Sequence, residues 1–126
     1  MYSKKVLERF QHPKFSGEIP DADGVGEVGN MKCGDIMRVY IKVEKKRGNE
    51  IIKDIKFLTY GCVAAVASSD VLCEIAKGKT LDEALKITSK DIVNAMGGEV
   101  PAIKVHCSVL AQNALKKAIE EYKKKK

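Results

Sequence analysis

The chain has 126 residues, of which 44% are hydrophobic and 32% are charged. This composition predicts one globular domain with a real core and excludes wholesale disorder. The formal net charge is +6, and the run Lys123–Lys126 supplies four of the positive charges. We interpret 1–126 as a single domain with a frayed, solvated tail over 123–126. A nucleic-acid-binding module would rest on this charge alone, so we predict no nucleic-acid partner.

The first residues do not read as a secretory signal, because Lys4 and Lys5 are followed by only Val6 and Leu7 before Glu8. No apolar run approaches the length that spans a bilayer, so we predict a cytoplasmic protein without a membrane partner. Four cysteines are present. In a reducing compartment they are expected to stay reduced or to bind metal, which disfavours disulfides.

The amino-terminal part predicts a short helix followed by a long loop. Ser3–Phe10 has an amphipathic pattern with Ser3 as its cap, and Pro13 ends the helix. The stretch 12–29 is rich in Gly, Pro and Asp, and Val25–Val28 predicts a short edge strand within it. Gly24–Gly29 superficially matches a dinucleotide fingerprint. It lacks the preceding strand and the following helix, so we reject a dinucleotide site.

The next segment predicts a β-hairpin. Apolar and polar residues alternate over Ile36–Glu44, and Ile51–Tyr60 forms the returning strand, with a turn over 45–49. Cys33 stands just before this hairpin and Cys62 just after it. Because antiparallel pairing brings the two ends to the same edge of the sheet, the pattern places both thiols in one region.

The second half predicts helices. A small, apolar helix runs over 64–77 and is stopped by Gly78. Thr80–Glu83 has the form of a capping box that opens a short helix, and another helix is predicted over 88–96. An extended piece over 99–105 leads to the clearest helix, whose apolar residues recur from Leu110 to Tyr122. Helix, small sheet and helical half together predict an α+β fold.

Three of the four cysteines have polar companions that suit a metal or iron–sulfur site. Cys33 lies in Cys-Gly-Asp, and Cys62 and Cys107 lie at predicted helix starts, where unpaired amides and the helix dipole favour thiolate. Cys73 falls on nearly the same helical face as Cys62 but roughly 16 Å further along. Its neighbours are apolar, so we predict a packed thiol outside the site.

Asp35 and His106 are the candidate additional ligands. A carboxylate is a hard donor and a poor match for iron already bound to sulfide, so Asp35 either caps the next turn or is a weak ligand. His106 is either structural or an imidazole ligand beside Cys107. No Cys-x-x-Cys pair exists, which disfavours zinc ribbons, thioredoxin-like sites and ferredoxin-type clusters. Three thiolates with a variable fourth ligand are typical of a site that releases its cargo.

Six segments in the same order resemble the IscU/NifU-type iron–sulfur cluster assembly scaffolds. The resemblance runs from about Tyr2 to Tyr122. Any one segment is weak, and the full set in order over the whole chain is specific. The segments are Tyr2–Val6, Lys32–Met37, Phe57–Cys62, Ala67–Ser69, Gly78–Ala84 and Lys104–Ala111.

The resemblance implies an IscU/SufE-like fold in which several helices pack on a small three-stranded antiparallel sheet. It implies a scaffold or carrier rather than an enzyme. Cys33, Cys62 and Cys107, with Asp35 or His106 as a further ligand, would hold a transient 2Fe-2S cluster. Cys107 would accept persulfide sulfur, and Asp35 would make the cluster labile. Zinc could occupy the same residues.

The resemblance also implies partners. A cysteine desulfurase would supply sulfur, apo iron–sulfur proteins would accept the cluster, and an iron donor and a second copy of the chain are compatible with the family pattern. The family's chaperone-recognition segment, Leu-Pro-Pro-Val-Lys, reads Val-Pro-Ala-Ile-Lys over Val100–Lys104. The loss of one proline and the leucine argues against a dedicated Hsp70-type chaperone.

The alternative is a SufU-like zinc-dependent sulfurtransferase, which relays persulfide without holding a cluster. Such relatives typically carry an insertion between the second and third ligand cysteines and lack the histidine beside the last one. This chain has no obvious insertion and retains His106. The resemblance therefore favours the scaffold.

Overall fold

A three-stranded sheet and five helices make up the described part of the chain. The computed structural model describes residues 4–30, 35–61, 63–95 and 106–125. The α+β prediction is confirmed. In chain order the elements are α1 (Lys4–Gln11), β1 (Gly24–Asn30), β2 (Asp35–Lys46), β3 (Asn49–Tyr60), α2 (Val63–Ala76), α3 (Leu81–Leu85), α4 (Ser89–Ala95) and α5 (His106–Lys125).

The sheet has the order β1-β2-β3, and both pairs of neighbouring strands are antiparallel. The predicted edge strand is therefore present, as β1. The hairpin turn is shorter than the five residues predicted over 45–49, because Lys46 pairs with Asn49 across the two-residue turn of Arg47 and Gly48. Both turn residues have positive φ, 53° and 82°. Such a turn matches the twist of the flanking strands, which lets both strands extend further than predicted.

The core lies between one face of the sheet and the helices. Met37, Val39 and Ile41 of β2 alternate toward this face and are fully or almost fully buried. Burying such side chains is worth about 1.5–3 kcal/mol each, so this face supplies much of the stability. The buried helical residues that meet it include Val71, Leu72 and Ala76 of α2 and Ala111, Ala114, Leu115, Ala118 and Ile119 of α5.

The helix ends follow local chemistry. Gly78, which has a φ of 87°, stops α2 as predicted. The capping box of α3 is present: the Thr80 hydroxyl accepts from the Glu83 amide at 3.1 Å, and the Glu83 carboxylate accepts from the Thr80 amide at 3.1 Å. α4 agrees with its prediction to Ala95. Predictions for Met96 and for the extended piece over 99–105 lie outside the described residues.

Three of the four carboxyl-terminal lysines are part of a helix. α5 continues through Lys125, so Lys123–Lys125 belong to the last turn of the helix. Lysine is a good helix former, and its positive charge is favourable near the negative end of the helix dipole.

Two glycines allow α5 to lie directly on β1. A Cβ atom built on Gly24 would lie 2.2 Å from the Ala118 carbonyl oxygen, and one built on Gly26 would lie 2.1 Å from the Ala114 carbonyl oxygen. Any side chain at either position would therefore push the helix away. This packing accounts for Gly24 and Gly26, the two glycines that superficially matched a dinucleotide fingerprint.

A buried carboxylate anchors α1 and the loop after it to α2. Asp70 is fully buried, and its carboxylate accepts from Arg9 Nη1 at 2.9 Å and from the Phe15 amide at 2.8 Å. A second Arg9 nitrogen, Nη2, donates to Glu74 at 2.6 Å. Because an unpaired buried charge is costly, these contacts explain how an aspartate is tolerated inside an apolar helix face.

We expect Arg9→Met to lower the free energy of unfolding by about 2 kcal/mol, because Asp70 loses a charged donor while the aliphatic packing is kept. Thermal and urea unfolding monitored by circular dichroism measure the change. Lys14→Met is the matched control: Lys14 lies 3.7 Å from Glu74, and its side chain is 68% exposed. We expect that control to cost less than about 0.5 kcal/mol. Equal losses in the two variants would contradict this account of Asp70.

Candidate metal or cluster site

The predicted site residues lie in three segments, and each segment adjoins a described strand or helix. Cys33 and Cys62 lie outside the described residues. Asp35 is the first residue of β2, and His106 and Cys107 are the first two residues of α5. The side chains of these three also lie outside the description, so the ligand set stays a prediction. The described backbone does show where the three segments begin and end.

The sheet brings the first two segments to one end. Asn30 at the end of β1 pairs with Asp35, so the segment that carries Cys33 connects neighbouring strands there. Ile36 pairs with Tyr60, the last residue of β3, and Cys62 follows two residues later. The predicted convergence of the two hairpin ends is therefore confirmed.

Helix α5 brings the third segment to the same end. Gly24 lies against Ala118 and Gly26 against Ala114, so strand and helix run in opposite directions. Two strand residues advance about 6.7 Å and four helix residues about 6 Å, so the two elements stay nearly in step. If β1 and α5 continue side by side at this rate, the start of α5 at His106 lies level with Asn30, the last residue of β1. The backbone thus places the beginning of α5 beside the segments that carry Cys33 and Cys62.

Two helices begin at this end of the sheet. α2 starts at Val63, immediately after Cys62, and Cys107 lies in the first turn of α5. The free amides and the dipole at such helix starts favour negative charge. This local field is suited to thiolates rather than thiols, and therefore to a soft metal or a persulfide sulfur.

The surface around this end carries exposed apolar side chains. Ile36 is 43% exposed and its cross-strand neighbour Tyr60 is 70% exposed. Val109, in the first turns of α5, is 40% exposed. Apolar groups gathered at one place on a surface are typical of protein contact sites.

Cys73 is confirmed as a packed thiol. It is fully buried and free, and burial raises the pKa of its thiol well above the ordinary value. The nearby carboxylates of Asp70 and Asp54 raise this pKa further. A neutral thiol in the core is not a metal ligand or a nucleophile, so Cys73 lies outside the site both in position and in chemistry.

The described part of the chain contains neither a cluster of metal ligands nor a membrane-spanning helix. Among the side chains it includes, no group of three His, Cys, Asp or Glu residues could hold a metal ion. The side chains of the five predicted ligands are not in that set. Over the same ranges, 4–30, 35–61, 63–95 and 106–125, no helix is both long and apolar enough to cross a bilayer.

Sequence reasoning missed the buried polar residues of α2. Ser68, Ser69 and Asp70 are all at most 1% exposed. The Asp70 carboxylate accepts a hydrogen bond from Arg9 of α1. The Ser69 hydroxyl oxygen lies 2.8 Å from the Thr59 hydroxyl oxygen on β3. The available signal was a polar triplet in a helix that is otherwise small and apolar, because buried polar groups require partners.

The chain is similar to known iron–sulfur scaffold proteins. The family model described as "NifU-like N terminal domain" matches residues 1–126. Iron-sulfur cluster assembly scaffold protein IscU 1 of Archaeoglobus fulgidus is 54% identical over 125 residues, which cover 99% of this chain and 78% of the relative. The scaffold protein IscU of Haemophilus influenzae is 45% identical, covering 98% of this chain and 97% of the relative.

A solved structure agrees with the fold. It is the crystal structure of FiSufU from Fervidobacterium islandicum AW-1, a candidate iron–sulfur cluster assembly scaffold for the SUF system. It superposes with a TM-score of 0.78 at 28% identity, covering 94% of this chain and 96% of the other. The similarity extends over nearly the whole of both chains.

Proposed function

The chain belongs to the family of NifU-like N-terminal domains, and we propose that it is an iron–sulfur cluster assembly scaffold that builds a transient 2Fe-2S cluster and passes it to apo-proteins. The cluster is cargo rather than a resident cofactor. Cys33, Cys62 and Cys107 are the proposed thiolate ligands, and Asp35 or His106 is the proposed fourth ligand. The observation that carries the proposal is that the described elements next to the three cysteines, namely the paired ends of the strands and the start of α5, lie at one end of the sheet.

The chemistry of that end supports cargo that is held briefly. Thiolates at two helix starts suit iron bound to sulfide, whereas the Asp35 carboxylate is a hard donor that suits it poorly. In this proposal, three thiolates bind the cluster firmly and the fourth ligand binds it weakly. Exposed apolar residues such as Ile36 and Tyr60 suit the approach of donor and acceptor proteins.

Sulfur enters as persulfide in this proposal. The Cys107 thiolate attacks the terminal sulfur of a persulfide on a cysteine desulfurase; a new S–S bond forms on Cys107, and the donor thiolate leaves. Reduction to sulfide then breaks that bond. Ferrous iron supplies part of the electrons as it becomes ferric, and an external thiol or one-electron reductant supplies the rest. The helix start at Cys107 favours the attacking thiolate.

Reconstitution tests the proposal. The protein is incubated anaerobically with ferrous iron, cysteine, dithiothreitol and a cysteine desulfurase, and visible absorbance and circular dichroism follow the cluster. The product is then mixed with an apo-ferredoxin, whose own spectrum reports transfer. Formation of a 2Fe-2S species followed by transfer is the expected result. A reaction without the desulfurase is the control.

The same experiment separates the SufU-like alternative. The similarity to FiSufU is the observation that favours testing this alternative. A zinc-dependent sulfurtransferase would retain zinc throughout, relay persulfide to a second acceptor and form no cluster. That outcome would overturn the scaffold proposal. Zinc that binds at the proposed ligands and is displaced during cluster assembly is consistent with the scaffold.

We expect Asp35→Ala to slow cluster release about tenfold, because the weak oxygen ligand and the access it gives to an acceptor thiol are removed. The measurement is the rate of transfer to apo-ferredoxin from a preloaded protein. Asp82→Ala removes an exposed carboxylate that lines the cleft beside the hairpin turn, far from the site, and serves as the control. Release from Asp35→Ala at the rate of this control would show that Asp35 does not set lability.

A further inference from the structure

A pair of hydroxyl groups links the strand before Cys62 to the helix after it. The Thr59 and Ser69 hydroxyl oxygens are 2.8 Å apart, and the Ser69 hydroxyl donates to the Ala65 carbonyl at 2.9 Å. A serine hydroxyl has a single proton. Since Ser69 uses that proton on Ala65, Thr59 must be the donor to Ser69. The result is a directional relay from Thr59 through Ser69 to Ala65.

The relay encloses the corner that carries Cys62. Thr59 stands three residues before Cys62, and Ala65 stands three residues after it. Thr59 belongs to β3 and Ala65 to the first turn of α2, so the two bonds set the separation of strand end and helix start. Gly61, the described residue at this corner, is exposed.

Burial makes the relay stiff. Ser69 is 1% exposed, and Thr59 is half-buried on the face of the sheet that meets the helices, opposite the fully buried Met37. A hydrogen bond shielded from water does not exchange readily with solvent, so the bond from Thr59 to the buried Ser69 hydroxyl holds the strand to the helix. A serine that bonded only to its own helix would need no partner on β3. The bond from Thr59 to Ser69 is therefore the one that links β3 to α2 in this relay.

We infer that Thr59 and Ser69 are positioning residues for the proposed ligand Cys62, because their hydroxyl relay fixes the end of β3 relative to the start of α2, the two elements between which Cys62 stands in the sequence. This inference rests on the proposed function. Without the relay the corner gains freedom, and the bond from Cys62 to metal forms with poorer geometry. Weaker binding and faster loss of cargo follow, with the other ligands unchanged.

Cobalt(II) is a suitable probe, since its absorption reports thiolate coordination and geometry directly. Thr59→Val removes the donor but keeps the side-chain shape, and Ser69→Ala removes the central hydroxyl. We expect each to weaken cobalt binding about tenfold and to alter the thiolate-to-metal absorption band. Thr59→Ser restores the hydroxyl and should restore both properties. The half-life of the reconstituted 2Fe-2S cluster provides an independent second measurement.

Tyr122→Phe is the matched control. It deletes a hydroxyl that bonds to the Glu50 carboxylate near the hairpin turn, at the opposite end of the sheet. We expect its cobalt spectrum and affinity to equal those of the wild type, whatever its melting temperature. If Ser69→Ala does not fold, Thr59→Val decides the question.

Two outcomes distinguish the inference from the function beneath it. If the wild type binds cobalt through thiolates and Thr59→Val behaves like Tyr122→Phe, the positioning role is wrong and the scaffold proposal stands. If the wild type binds neither cobalt nor a cluster, the scaffold proposal itself fails, and the positioning role fails with it.

Discussion

Cys62→Ala and Cys107→Ala are each expected to abolish the stable 2Fe-2S cluster. Each variant removes one of three proposed thiolates, and an alanine offers no donor in its place. Cys107→Ala should also end persulfide uptake from the desulfurase. Visible absorbance after anaerobic reconstitution measures the first effect, and mass spectrometry of the protein after incubation with desulfurase and cysteine measures the second.

Cys73→Ala is the matched control, since it makes the same chemical change in the core. Cys73 is fully buried in α2, and burial raises the pKa of its thiol. We expect this variant to lose about 1 kcal/mol of stability through the small cavity and to assemble the cluster normally. Loss of the cluster in Cys73→Ala, or its retention in Cys62→Ala and Cys107→Ala, would refute the assignment of the ligand thiols.

Gly26→Ala is expected to destabilise the fold strongly. The new Cβ would lie 2.1 Å from the Ala114 carbonyl oxygen, a backbone atom of α5 that cannot rotate away. The helix must therefore shift outward, at a cost of about 1–3 kcal/mol or more. For a domain of this size, that corresponds to a fall in melting temperature of roughly 5–15 °C. Because α5 carries His106 and Cys107, folded Gly26→Ala protein should also bind cobalt more weakly.

Gly48→Asn tests whether the effect belongs to the helix contact rather than to loss of a glycine. A Cβ at Gly48 would have nothing within 4 Å, and asparagine tolerates the positive φ of 82° there. Its melting temperature should stay close to that of the wild type, and its cobalt spectrum should be unchanged. A Gly26→Ala variant as stable as Gly48→Asn would mean that α5 does not rest on β1 through backbone contact.

Features governed by neighbouring residues could be predicted from the sequence. The capping box at Thr80 and Glu83 needs only residues three apart, and Gly78 stops α2 by its own backbone freedom. The buried stripe of α5 follows helical spacing. The two long strands of the hairpin, and hence the convergence of their ends, follow from alternation. These features were enough to predict that the two ends of the hairpin lie together at one end of the sheet.

Features that depend on contacts between distant segments could not be predicted. Gly26 reads as a loop glycine until α5 is known to lie against it. The partnership of Thr59 and Ser69 requires β3 and α2 to be placed side by side. Arginine rarely adopts a positive φ, so the sequence predicts a longer turn than the two residues Arg47 and Gly48 that the structure has. In each case the deciding atom comes from another element, and residue type and spacing carry no information about it.

The two-residue turn at Arg47 and Gly48 is a suitable site for attaching a label or a linker. β2 and β3 have 12 residues each, so the turn is separated from the other end of the sheet by roughly 35 Å. A fluorophore or surface linker attached there would leave the opposite end open to solution. Binding of the proposed sulfur donors and cluster acceptors could then be titrated on immobilised protein, with every molecule presenting the same face.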